Sequence, residues 1–126
     1  MAVRAPRNGV FYTMDEVDTD YSKLNTFKTV IRGDKIAILA LGDFFQMGEE
    51  LIEEIDKRFG IKATLINPRY ITGIDENCLQ NLKDNHDIVV TLEDGVNIKY
   101  SYMSYIICSI YGCIYYYQSS SGIIYA

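Results

Sequence analysis

The segment that most constrains this chain is Lys35-Ile-Ala-Ile-Leu-Ala-Leu41, which after its lysine is apolar at every position. A strand with one wet face alternates apolar and polar residues. A strand without alternation has both faces covered, as in the middle of a parallel sheet flanked by helices. Gly42-Asp43 ends the run with turn chemistry. The spacing then predicts a helix over 46–59, with Met47, Leu51, Ile52, Ile55 and Phe59 on one stripe. Glu49, Glu50, Glu53 and Glu54 come early and Lys57-Arg58 late, an order that complements the helix dipole. Gly60 suits the C-cap. A second strand is expected over 63–66, stopped by Asn67-Pro68, and Asp75 can cap a second helix reaching about Asp84 with Leu79 and Leu82 inward. Asp87 to Leu92 reads as a third apolar strand. Upstream, Phe27, Thr29 and Ile31 alternate with Lys28, Val30 and Arg32, and Gly33-Asp34 turns the chain. Strands alternating with helices imply an α/β fold: three layers, with a mainly parallel sheet of about four to five strands and flanking helices.

The ends differ from this centre. Residues 1–25 read as a short extended stretch followed by an acidic connector, and Asn8-Gly9 is a turn signal. Residues 96–126 hold eight of the 11 tyrosines and a single charged residue, Lys99. The apolar part, Met103 to Tyr117, falls short of the ~20 residues of a membrane span, so no membrane partner is expected. High β propensity with little charge makes this tail an aggregation hazard if exposed. A net charge of -5 argues against general binding to nucleic acid, which needs a basic surface. Cys78, Cys108 and Cys113 form no CxxC pair and His86 is the only histidine, too few for a metal site at the usual spacing. An odd cysteine count without a secretory leader fits a reducing cytoplasm.

Three segments carry a resemblance. Lys35 to Gly42 is similar to the opening strand of the transketolase family's C-terminal domain. Ile66-Asn67-Pro68-Arg69-Tyr70-Ile71 followed by Gly73-Ile74-Asp75 resembles that family's acid-or-amide, any residue, Arg-Phe-Val-Lys-Pro-Leu-Asp signature. Val89-Val90-Thr91-Leu92-Glu93-Asp94-Gly95 is close to its Val-Val-Thr-Val-Glu-Asp-Gly. Ala2-Val3-Arg4-Ala5-Pro6-Arg7-Asn8 resembles the end of the pyrimidine-binding domain in the family's deoxyxylulose phosphate synthase branch. The resemblance thus divides the chain into 1–25, the end of that domain plus a linker; 26–95, a transketolase C-terminal-like domain; and 96–126, an atypical tail. Transketolases proper, 2-oxoacid dehydrogenase beta chains and a non-enzymatic interaction module reusing the fold remain open alternatives.

The resemblance also implies roles. Arg4 and Arg7 would contact a substrate phosphate, for which a guanidinium fork is suited, and solvated surface charge is the plainer reading of both. Arg69, Asp75, Glu93, Asp94 and Gly95 are expected to be structural. Arg69 is placed to pair with Asp75 or Glu93, and His86 to cap a helix or lie at the surface. No catalytic residue and no metal ligand is assigned. Thiamine diphosphate and Mg2+ belong to the parent enzyme and would be bound by domains absent from this chain. Its partners would then be those N-terminal and middle domains, or a separate subunit carrying them, and the family admits a homodimer. After Glu93-Asp94-Gly95 the family's Gly-Gly turn is missing. We expect residues from about 96 onward to be a frameshifted or degenerate ending, which sequencing the gene checks.

Overall fold

The computed structural model describes residues 19–70, 72–93, 117–118 and 123–125. Strand β1 (Lys28–Ile31) is followed by β2 (Lys35–Ala40), a 3-10 turn (Gly42–Phe44), α1 (Phe45–Phe59), β3 (Thr64–Asn67), α2 (Glu76–Asn85) and β4 (His86–Leu92). Two short strands lie in the tail, β5 (Tyr117–Gln118) and β6 (Ile123–Tyr125). The sheet order is β1-β3-β2-β4-β6-β5. The central three strands are parallel, Ile38 lying opposite both Leu65 and Val90. Strand β1 runs antiparallel to β3, and β6 antiparallel to β4.

The apolar run is the middle of this sheet, as its lack of alternation requires. Ile38 and Ala40 face α1, joining Ile52, Leu65 and Leu92. Ala37 and Leu39 face α2, joining Phe27, Ile66, Leu79, Leu82 and Val89. One helix covers each face, which gives the expected three layers. Helix α1 comes close to the sheet because Gly48 has no side chain. A Cβ there would lie 2.9 Å from the Ala40 Cβ and 3.0 Å from Leu65 Cδ1. Its last turn closes on Gly60, at φ 65°, where glycine avoids the Cβ penalty.

Several details differ from expectation. Only Ile52 of the α1 stripe is fully buried, with Leu51 and Ile55 partly so. Met47 is 40% exposed and Phe59 70% exposed. The helix starts at Phe45, and its first turn holds no acid. The glutamates instead meet the basic end side by side, Glu53 with Lys57 at 3.7 Å and Glu54 with Arg58 at 3.4 Å. Exposed pairs of this kind contribute little. The Gly33-Asp34 turn does not make a hairpin, since β3 lies between β1 and β2. Finally, the tail extends the sheet, with Ile123, Ile124 and Tyr125 of β6 opposite Leu92, Thr91 and Val90 and β5 at the edge beyond it.

Candidate functional site

In open α/β sheets ligands gather beyond the carboxyl ends of parallel strands, where the strand order reverses. Here that place is the end of β2 and β4, since β3 lies on one side of β2 and β4 on the other. Leu41 N–H donates to the Leu92 carbonyl at 3.0 Å and holds the two strand ends together. The Asn67–Tyr70 turn follows β3 on the same rim. Strand β1 is antiparallel, so its leading residues Thr26 and Phe27 also arrive there.

The turn after β3 is built locally. Asn67 Oδ1 accepts the Arg69 N–H at 3.0 Å, an Asx turn. It holds Arg69 at φ 61°, in the left-handed region. Pro68 is fully buried. The Arg69 guanidinium donates through Nε and Nη2 to the Thr26 carbonyl, at 3.2 and 2.8 Å, and lies 5.5 Å from the centre of the Tyr70 ring. Asp75 caps α2, its Oδ1 accepting the Cys78 N–H at 3.0 Å. Its Oδ2 accepts the Phe27 N–H at 2.9 Å. Sequence reasoning anticipated the cap and missed the second bond, which joins residues 48 apart. Glu93 follows β4 and is 6% exposed. Two residues back, Thr91 is fully buried, and its Oγ1 has no partner among the described residues.

Cys78 is half-buried on the first turn of α2. Its thiol is pushed up to about 11, first by burial and then by the nearby Asp75 carboxylate, while Arg32 pulls weakly the other way. A helix N-terminus ordinarily favours a thiolate; here desolvation wins.

The opposite rim holds a second cluster that sequence reasoning missed. The Thr64 hydroxyl donates to the Gly33 carbonyl at 3.1 Å and accepts the Gly33 N–H at 3.0 Å. It also meets His86 Nε2 at 2.8 Å. A hydroxyl has one hydrogen. With that hydrogen on the Gly33 carbonyl, His86 donates from Nε2, and its Nδ1 is a buried atom without a partner among the described residues. His86 does sit at the helix end, where its backbone N–H caps α2 onto Leu82. The one visible signal for this cluster was a threonine opening an otherwise apolar strand.

Arg4, Arg7, Asp94 and Gly95 lie outside the described residues. Among the described residues no group of three His, Cys, Asp or Glu could hold a metal ion, and Gly48 lies within α1 against the sheet rather than in a phosphate-cradling loop. The residues described do not fit thiamine diphosphate with Mg2+. No described helix is long and apolar enough to cross a membrane.

Fold and rim together define a doubly covered α/β domain whose strand-end loops grip its own incoming chain. The transketolase C-terminal domain profile matches residues 26–118, and the chain belongs to that family. It is similar to the 1-deoxy-D-xylulose-5-phosphate synthase of Alkaliphilus oremlandii, 35% identical over 101 residues, covering 78% of this chain and 16% of that protein. The enzyme of the same name from Lachnoclostridium phytofermentans is 30% identical over 98 residues, 76% of this chain and 15% of that one. That of Acidobacterium capsulatum is 38% identical over 69 residues, 55% and 11%. The chain therefore spans about one sixth of the length of the relatives it matches. The match begins at 26 and runs past Gly95, where the motif likeness stops.

Proposed function

We propose that this chain is the C-terminal domain of a 1-deoxy-D-xylulose-5-phosphate synthase and does not turn over substrate alone. The observation that carries this reading is the similarity to synthases at 35% identity combined with coverage of only 16% of their length. The whole reaction joins pyruvate to glyceraldehyde 3-phosphate with loss of CO2, supplying isoprenoid and thiamine synthesis in the cytoplasm. Thiamine diphosphate, anchored by Mg2+, supplies the carbanion chemistry when bound in the missing domains. This chain's part is to pack against those domains, or against a separate subunit that carries them, and to support a homodimer. Residues 1–25 are the end of the preceding domain and its linker. There Arg4, with Arg7 beside it, gives the phosphate of glyceraldehyde 3-phosphate a charge-assisted contact. Arg69, Asp75, Glu93, Asp94 and Gly95 serve structure, and 96–126 is an atypical ending.

The test is a coupled assay with pyruvate, glyceraldehyde 3-phosphate, thiamine diphosphate and Mg2+. We expect no turnover from the chain alone, and turnover when a polypeptide carrying the first two synthase domains is added. Turnover by the isolated chain, or no association with that polypeptide, overturns the reading. In the restored enzyme Arg4→Gln should raise KM for glyceraldehyde 3-phosphate about tenfold or more.

A further inference from the structure

Three consecutive residues ahead of β1 are each gripped by the segment 67–78. Thr72 Oγ1 donates to Asn25 Oδ1 at 2.8 Å, and Gly73 lies so near the Asn25 amide that a Cβ would overlap it. The Arg69 fork takes the Thr26 carbonyl at 2.8 and 3.2 Å. Asp75 Oδ2 takes the Phe27 N–H at 2.9 Å. The charged grips hold main-chain atoms, so they read where the backbone runs and not which side chains it carries. They also lie outside the ladder, which already joins Lys28 to Asn67. Across this junction Asn25 and Arg69 both stand at positive φ, 58° and 61°. Left-handed backbone at a non-glycine residue is strained and persists where its surroundings over-determine it.

We infer that this junction is a latch that fixes where, and in which direction, the chain upstream of residue 25 leaves the domain. Arg69 and Asp75 are its positioning residues, acting through the backbone of Thr26 and Phe27. The assigned device is mechanical: the chain that leads into β1 is held at its point of entry rather than left free to swing there. It does not rest on the synthase reading, since every bond in it lies within residues 25–78.

Asp75→Asn separates latch from cap. Asparagine caps helices as well as aspartate does, so the Cys78 N–H keeps an oxygen acceptor while the Phe27 N–H faces an amide NH2. The 126-residue chain has no tryptophan, so Tyr21→Trp places a clean probe on the exposed upstream segment. We expect Asp75→Asn to speed hydrogen exchange at the Phe27 amide about tenfold, the loss of one charge-assisted bond. Exchange at Cys78 should change less than about threefold, keeping its bond. The introduced tryptophan should gain a fast component in its anisotropy decay, and Arg69→Gln should do the same to it, with little change in unfolding midpoint. The inference is overturned if both variants fold and leave the Phe27 amide and the probe unaffected. It is equally overturned if the Phe27 and Cys78 amides quicken together with a falling midpoint. Failure of both variants to fold also overturns it, because the bonds would then belong to the core.

Discussion

The two ends of β1 are tied down by opposite kinds of chemistry. At its start, the charged side chains of Arg69 and Asp75 reach across from a loop to hold Thr26 and Phe27. At its end, the neutral hydroxyl of Thr64 holds both polar backbone atoms of Gly33, and Asp34 N–H adds a bond to the Lys62 carbonyl at 2.9 Å. The strand needs both. It is four residues long, at the sheet edge, with Val30 and Ile31 exposed and a register break between Thr29 and Ile31. Its ladder is short and irregular, so side chains of the β3 ends and the loop beyond supply what the ladder lacks. The charged tie is made by the loop after β3 and the cap of α2; the neutral tie joins the first residue of β3 to the β1–β2 connection, where Gly33 lies tight against the Lys62 backbone.

That difference sets the size of the effects. Gly33→Ala should be the most damaging change, because a Cβ would overlap the Lys62 carbonyl and the neighbouring backbone, which cannot give as a flexible side chain can. We expect a loss of about 3–5 kcal/mol, read as a fall in the denaturant midpoint. A midpoint unchanged by this variant would show that the β1–β2 connection can shift freely, which breaks the contrast between the two ties. Thr64→Val comes next. It keeps the shape but removes the acceptor for the Gly33 N–H, the donor to its carbonyl and the partner of His86 Nε2. Leaving part-buried polar groups unmet should cost about 2–3 kcal/mol in urea unfolding. At the charged end, Asp75→Ala loses a helix cap and the Phe27 acceptor together. About 1–2 kcal/mol is expected there, less than for Thr64→Val because water can reach the junction.

The contrast between the ties also explains what could be read from the sequence. Strands β2, β3 and β4 and both helices fall within a residue or two of their expected bounds, because each is written in local periodicity and caps. Asp75 and Gly60 announced helix ends through short-range chemistry. The placement of β1 beside β3 was not legible: it depends on which strand a four-residue segment meets after a turn, and no local pattern encodes that. The Thr64–Gly33–His86 cluster was hidden for the same reason, since its members are 31 and 22 residues apart. The pairing of β6 with β4 joins a tail without charge pattern to the sheet, and nothing in the tail specified that partner. The bond from Arg69 to the Thr26 carbonyl was hidden too, because a main-chain carbonyl is offered by every residue and leaves no mark in composition.

The smallest effect is also the one that best separates the two ends. Cys78 stands on the first turn of α2, one bond from Asp75, and its thiol is raised from the usual 9.0 to about 11 by burial first and the Asp75 charge second. With Cys108→Ser and Cys113→Ser to silence the other thiols, alkylation of Cys78 should rise about tenfold per pH unit, following the thiolate fraction, and level off only near pH 11. Between 9.0 and about 11 the unfolded chain has released this proton and the folded one has kept it, so stability falls as pH climbs through that window and is intact below it. Asp75→Asn should move the plateau part of the way back toward 9.0, because the charge is removed while the larger cause, burial, stays. Thr64→Val alters the far rim and should leave the plateau where it is. A plateau that shifts equally in both variants would mean that loosening β1 at either end exposes α2, and the two ties would then be one cooperative unit rather than two.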